Sequence, residues 1–141
     1  KQANYAKGAI QNGADADWSG DFNNIDEFPW NQTDTIFTST SDDTSTFDAA
    51  DLAATGAGLV IKGVAVAALA KCDGSGVDPQ KLAPVLRVGG VDYAGPAVDL
   101  LAVGYSGTGA KVWMENPGTS AAWGSIAEVN GSEFGVQAKD S

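Results

Sequence analysis

Apolar residues along the chain form short runs, and clusters of Gly, Asp, Asn, Ser and Thr separate these runs. Runs of this length, with alternation or with β-branched and aromatic residues, are typical of strands rather than of helices. The pattern predicts strands within Thr33–Ser41, Thr44–Ala49, Ala97–Gly107, Ala110–Asn116 and Ser132–Lys139.

The most apolar run is Gly58–Ala70, and it lies within the segment Gly58–Cys72, "GLVIKGVAVAALAKC". A run of this kind is compatible with a buried helix or with a central strand. Its β-branched residues and flanking glycines favour a long central strand with both faces covered. It is too short to span a bilayer as a helix, and Lys62 interrupts it.

The segment Lys81–Gly95 has the pattern of a β-hairpin. Two apolar arms flank Gly89 and Gly90, and a Gly-Gly pair is typical of a two-residue hairpin turn. Pro84 lies in the first arm and cannot donate a ladder hydrogen bond, so we expect it at a sheet edge or a bulge.

Two segments have the pattern of a single helical turn. Asp48 is placed as an N-cap and Gly56 as a stop, and Ser125 with Glu128 matches a capping box. Gly131 then supplies a left-handed residue that ends the second turn. Together these elements predict an all-β fold, a β-sandwich or jelly-roll-like domain with one or two short helical turns, over residues 24–141. Residues 1–23 are polar and are predicted to form an N-terminal arm.

Charge and composition exclude several classes of function. The formal net charge is −10, from 18 acidic and 8 basic residues, so binding to nucleic acid or to an anionic membrane is not expected. The acidic balance fits solubility, and also docking onto a basic partner surface. The chain has no histidine, which excludes His-dependent triads and imidazole zinc sites. Cys72 is the single cysteine and is expected to be a small buried filler.

Three groups of residues resemble active-site patterns, and each has a simpler structural interpretation. "GYSGTGAK" departs from a phosphate loop at Ala110 and is expected to be a hairpin turn. "DGSGVD" has two carboxylates, to which Asp42 and Asp43 could add ligands for calcium, but a solvated loop is favoured. The acid pairs Asp26–Glu27, and Glu115 with Glu128 or Glu133, could in principle hydrolyse glycosides, although nothing marks either pair as buried. No cofactor is predicted.

The four tryptophans could form a platform for a glycan, since sugars stack on aromatic faces. Trp113 and Trp123 are expected in the core or as plugs at its ends. Trp18 and Trp30 lie in polar segments and are the candidate ligand contacts.

The residues of the stretch "ENPGTSAAWGSIAEVNGSEFGV" are each explained by a structural role. Asn116–Gly118 ends a strand in a turn, and Trp123 is an apolar anchor. Glu128 is better explained by capping than by catalysis, and "SEFGV" resumes as a strand.

This stretch resembles a C-terminal signature of small bacteriophage virion structural proteins. Two further phrases, "NIDEFPWNQTDTIFTSTSDDTSTF" and "LRVGGVDYAG", look like other parts of that family, and the resemblance covers roughly residues 24–139. Gly124 and Gly131 depart from the signature. The matching residues are Asn116, Pro117, Thr119, Trp123, Ser125, Glu128, Val129, Asn130, Glu133, Phe134 and Gly135, with Arg87, Gly89, Gly90, Asp92, Tyr93 and Gly95 upstream.

The resemblance implies a non-enzymatic virion component with a β-sandwich fold. The expected place is the exterior of the particle, where the protein decorates or stabilises the capsid. Its expected partners are the major capsid protein or other virion proteins, and it is expected to form a homo-oligomer. The alternatives are a tail or fibre domain that binds host surface glycan through Trp18 and Trp30, and a glycan-degrading enzyme.

Overall fold

The computed structural model describes residues 8–26, 33–52, 60–76 and 79–140. Its largest element is an antiparallel sheet in which the strand nearest the C-terminus is central. In spatial order the strands are β1 (Ala9–Ala16), β2 (Thr44–Ala49), β12 (Glu133–Lys139), β5 (Lys81–Val88) and β6 (Val91–Ala94), and β7 (Val98–Asp99) pairs with the start of β5 on the same side as β6.

Three two-stranded antiparallel ladders accompany this sheet. They pair β3 (Val64–Val66) with β9 (Lys111–Trp113), β4 (Leu69–Ala70) with β8 (Ser106–Gly107), and β10 (Glu115–Asn116) with β11 (Ala121–Ala122). The described helices are a 3-10 turn at Phe22–Asn24 and α1 (Ile126–Asn130). The predicted all-β class is therefore confirmed. No helix in these described ranges is long and apolar enough to cross a membrane.

The predicted hairpin is confirmed as β5 and β6. Val88 faces Val91 across Gly89 and Gly90, whose φ angles are 60° and 82°. Two successive positive φ angles define the turn whose twist matches that of the flanking strands, and only glycine adopts them without strain. Pro84 lies inside the sheet, between the partners β6 and β7. Its carbonyl accepts a hydrogen bond from Gly95 N at 2.7 Å, but the reciprocal bond would need an amide that proline lacks, and the pairing with β6 ends there.

One face of the main sheet carries the hydrophobic core. Leu86 is buried together with Val66, Trp113 and Trp123. Partly buried residues complete this cluster, namely Ile61, Val64, Val88, Val129 and Phe134. The core therefore joins the sheet to the β3–β9 ladder and to α1. Side chains alternate along β12, so Phe134 faces the core while Glu133 points to the opposite face.

The long central strand predicted for Gly58–Cys72 is wrong. In the described part, residues 60–72, only Val64–Val66 and Leu69–Ala70 are strands, and both lie outside the main sheet. Ala65 and Lys62 are exposed, so this segment covers the core with one face rather than crossing its middle.

The "GYSGTGAK" segment is not a hairpin turn. β8 and β9 do not pair with each other but with β4 and β3, so Ser106–Trp113 runs antiparallel to Val64–Ala70 as one interrupted strand. At the interruption, Thr108 N donates to Ala68 O and Ala68 N donates to Thr108 Oγ1. Gly109 has a φ of 72° there, which is typical of a bulge.

The strand predicted for Thr33–Ser41 is also wrong. Its one β-bridge is Ser19–Phe37. Thr38 donates its hydroxyl to Asp43 and accepts from Thr40 N, and such local bonds compete with a ladder. Asp48 is not an N-cap either, because it belongs to β2; residues 53–59 of that predicted turn lie outside the described residues.

The segment 1–23, predicted as an arm, contributes β1 to the sheet from Ala9 to Ala16. The composition concealed this strand because its side chains are mostly small or polar. Ala9 is buried, whereas Gln11, Asn12, Ala14 and Ala16 are exposed, so backbone pairing at the sheet edge replaces apolar burial.

Candidate functional site

Four charged residues meet on the face of the main sheet opposite the core, and we call Asp15, Arg87, Asp92 and Glu133 the charged cluster. The strand register creates most of it. Arg87 on β5 lies opposite Glu133 on β12 and opposite Asp92 on β6. Opposite charges in directly facing positions stabilise neighbouring strands. The guanidinium therefore joins three strands of the sheet.

Asp15 reaches the cluster through a bulge in β1. The pairing moves from Asn12–Phe47 to Ala16–Ser45, so four steps along β1 (12 to 16) face two along β2 (47 to 45). The extra residues of β1 bend over the face of the sheet that carries Glu133. Ala14 N donates to Glu133 Oε2 at 2.9 Å, and Asp15 N donates to Thr46 Oγ1 at 3.1 Å.

The electrostatics of the cluster are dominated by excess negative charge. Arg87 Nη1 lies 2.8 Å from Asp15 Oδ2 and 2.7 Å from Asp92 Oδ1, and Arg87 Nε lies 3.9 Å from Glu133 Oε2. The hydrogen bond to Asp92 raises the pKa of Arg87. The pKa of Asp15 is also raised, because burial and repulsion from Asp92 outweigh the attraction of Arg87. Burial and then Glu133 raise the pKa of Asp48 nearby.

The raised pKa of Asp15 predicts how Asp15→Asn changes the free energy of unfolding. The folded-state pKa of Asp15 lies above its ordinary value of 3.8, so the folded state binds the proton more tightly than the unfolded chain does. Wild-type stability should therefore fall as pH rises from about 4 through the raised pKa. Asp15→Asn should remove the part of that fall that comes from Asp15, leaving the part from Asp48, and should be at least as stable as wild type at pH 7. Urea unfolding across this pH range measures it.

The matched control is Asp99→Asn. Asp99 is also a strand carboxylate beside a cation, 3.6 Å from Lys81, but its side chain is 84% exposed. This variant should keep the wild-type pH profile. Marked destabilisation of Asp15→Asn at pH 7 would contradict our assignment and would mean that the bond to Arg87 outweighs the repulsion.

The acids considered for glycoside hydrolysis occupy separate structural positions. Glu128 Oε2 accepts from Gly124 N at 2.8 Å and from Asn116 Nδ2 at 3.2 Å, while Glu133 is held in the charged cluster. Glu115 and Asp26 are exposed, and Glu27 lies outside the described residues. Through these contacts, Glu128 and Glu133 hold neighbouring segments of the fold together.

The C-terminal stretch has the scaffold role expected from the sequence, with two corrections. Ser125 accepts from Glu128 N, but Glu128 reaches Gly124 N rather than Ser125 N. Trp123 is buried and donates from Nε1 to Trp113 O at 3.0 Å. Gly131 does end the helix, but its φ is −83°, so the predicted left-handed stop is wrong. Gly131 N bonds to the carbonyl of Ala127 instead.

A cavity of about 740 Å³ lies on the core side of the sheet. Its sheet side is formed by Phe47, Leu82, Phe134, Val136 and Ala138, and the facing segments add Ile36, Phe37, Val66, Leu69, Cys72, Leu100 and Tyr105. Cys72 is buried, as expected for a small filler. Cavities of this size are typical of small-molecule sites.

Trp18, one of the two candidate ligand contacts, borders this cavity. It is half-buried, and its indole Nε1 donates to Asp43 O at 3.0 Å, which fixes the orientation of the ring. Trp30 lies outside the described residues. The structure thus gives Trp18 a place beside a cavity, and its contact with a ligand stays a prediction.

The candidate calcium loop is described only from Asp73 to Gly76. Asp73 Oδ1 accepts from Ser75 N at 2.8 Å, and Gly74 and Gly76 have φ angles of 79° and 72°. Asp42 lies near the end of β12, where its carbonyl accepts from Gln137 Nε2. Among the described residues, no three acidic or thiol side chains are grouped to hold a metal ion.

The charged cluster was missed at the level of sequence, although its signal was present. The hairpin turn at Gly89–Gly90 places Arg87 opposite Asp92 two residues from the turn on each strand. That pairing follows from the turn length alone. The contribution of Asp15 depends on the bulge in β1, for which the sequence has no comparable signal.

Comparisons of the chain with protein-family models, with curated proteins and with solved structures gave no match.

Proposed function

We propose that the protein is a non-enzymatic structural component of a bacteriophage virion that decorates or stabilises the outside of the capsid. The observation that carries the proposal is the combined presence of the C-terminal and hairpin phrases of the virion family. Its partners would be the major capsid protein or another virion protein.

The positions of the phrase residues support this proposal. Trp123 plugs the core, Glu128 joins Gly124 to Asn116, and Arg87 joins Asp92 to Glu133. A phrase built from such contacts marks a shared fold rather than a shared catalytic site. This fits a structural protein, in which packing and surface shape are the functional properties.

A strip of exposed apolar residues offers a surface for contact with another subunit. Ala65 on β3 and Val112 on β9 are direct partners in the ladder, and Met114 follows on the same side. Val112 is 44% exposed and Met114 64% exposed. We call Ala65, Val112 and Met114 the apolar strip. Neighbouring exposed apolar groups favour protein contact, and methionine is enriched at interfaces.

Reconstruction of purified particles that carry the protein tests the proposal. We expect density for this chain on the outer surface of the capsid shell, in multiple symmetric copies. Val112→Asp should lower its occupancy on particles, because a charge in an apolar contact is left without a partner. Thr40→Asp adds the same charge at an exposed bend and should not. Density on the tail alone would refute the capsid assignment.

A second candidate function is glycan binding by a tail or fibre domain. The position of Trp18 beside the cavity favours it, because an oriented aromatic ring at an opening can stack on a sugar. A glycan array with the purified protein tests this candidate. Binding that Trp18→Ala abolishes would support it, and an array without any bound glycan would exclude it.

A further inference from the structure

The cavity on the core side of the sheet has an interior in which apolar side chains predominate. Phe47 and Phe134 lie side by side there, with ring centroids 6.2 Å apart. Leu82 is buried in the same wall, and Leu69 and Leu100 border the cavity from the facing segments. The hydrophobic effect favours filling such a space with an apolar group rather than with water.

The border of the cavity carries a cation suited to one negative charge. The Lys71 ammonium lies 5.0 Å from the centroid of the Tyr105 ring, and Lys71 is exposed. The ion pairs found in the described part of the chain involve Lys81, Arg87 and Lys139 but not Lys71. Asp34 and Asp73 also border the cavity, and their charges would oppose a ligand that carries several negative groups.

We propose that this cavity binds a single-chain fatty acid, with the acyl chain against Phe47 and Phe134 and the carboxylate beside Lys71. The size and the mainly apolar lining fit the chain, and Lys71 fits a monoanionic head, because Lys81, another lysine on the border, is paired with Asp99. A sugar fits less well, because most of the lining is apolar whereas each sugar hydroxyl needs a polar partner. The proposal does not depend on the virion assignment.

Quenching of tryptophan fluorescence by dibrominated stearate tests this site, because Trp18 borders the cavity and bromine quenches at contact. We expect saturable quenching that unlabelled stearate reverses. Ala70→Phe should weaken it, because Ala70 borders the cavity and the larger ring takes up part of the space for the acyl chain. Ala122→Phe, at an exposed strand position in β11, is the matched control and should bind as wild type does.

The role of Lys71 is tested separately. Lys71→Glu should weaken stearate binding by about tenfold or more, which is the loss of one charge contact. Lys62→Glu makes the same change at another exposed lysine and should leave the affinity unchanged. A cationic amphiphile with the same chain should bind more weakly than stearate. Equal binding of both amphiphiles, together with an unaffected Lys71→Glu variant, would overturn the assignment of the head group.

Two results would overturn the proposal as a whole. One is an absence of saturable quenching in the wild-type protein, and the other is unchanged quenching in Ala70→Phe. Binding of an alkyl glycoside that depends on the sugar rather than on the chain would also refute it, and would favour a glycan site beside Trp18.

Discussion

Gly135→Ala is expected to destabilise the protein by at least about 3 kcal/mol, or to prevent folding. Gly135 lies in the central strand β12, and a Cβ there would lie 2.0 Å from Ser45 O and 2.8 Å from Thr46 Cα. Both atoms belong to the backbone of the paired strand β2, so no rotation of a side chain relieves the clash. The two strands would have to separate. Urea unfolding followed by circular dichroism measures the change.

Gly107→Ala is the matched control for this prediction. Gly107 is also a strand glycine, in β8, but an added Cβ meets no atom within 4 Å. It should change stability by less than about 1 kcal/mol. If Gly135→Ala unfolded at the same urea concentration as Gly107→Ala, the close pairing of β12 with β2 would be incorrect.

Trp123→Ala is expected to lower the free energy of unfolding by about 3–5 kcal/mol. Trp123 is 3% exposed and packs in the core with Leu86, Val66 and Trp113, so its removal leaves a large void. Trp123→Phe keeps much of the ring but loses the hydrogen bond from Nε1 to Trp113 O. It should cost less than the alanine variant does. Thermal and urea unfolding of both variants measure the order.

Met114→Ala provides the comparison for Trp123→Ala. Met114 is 64% exposed on the apolar strip, so its truncation should change monomer stability by less than about 1 kcal/mol. A Trp123→Ala variant as stable as Met114→Ala would show that the C-terminal stretch does not close the core.

The sequence was most informative where local chemistry and tertiary packing agree. Gly89 and Gly90 determine the hairpin because their positive φ angles are needed by one type of turn. Trp123 could be assigned to the core because it is large and lies between a turn and a capped helix. For such residues, the backbone conformation or burial that the local sequence favours is the one found in the folded protein.

The prediction failed where a high content of apolar residues was taken as evidence that a segment forms the central strand of a sheet. Gly58–Ala70 is the most apolar run, yet its described part, from residue 60, forms short ladders that cover the core, while the central strand β12 contains Glu133, Gln137 and Lys139. Centrality in this sheet depends on pairing partners, which a single sequence does not display. β1 was missed for the same reason, because its bulged pairing with β2 depends on backbone bonds rather than on a hydrophobic pattern.

The residues of the candidate sites also differ in whether the sequence alone could identify them. Trp18 could be nominated because an aromatic residue in a polar segment is conspicuous. The charged cluster could not, because Asp15 and Arg87 are far apart in sequence and meet only once the bulge of β1 lies over β12. The cavity depends on how the segment around Phe37 faces the sheet, which no local pattern indicates.

The central position of β12 has a consequence for synthesis on the ribosome. β2 is translated well before its partner β12, so Thr44–Ala49 stays without that neighbour while residues 50–132 are made. The hairpin of β5 and β6 is local and can form in the meantime, whereas pairing of distant strands is slow. Completion of the sheet therefore awaits the last strand, and the nascent chain relies until then on its polar segments and acidic charge to resist aggregation.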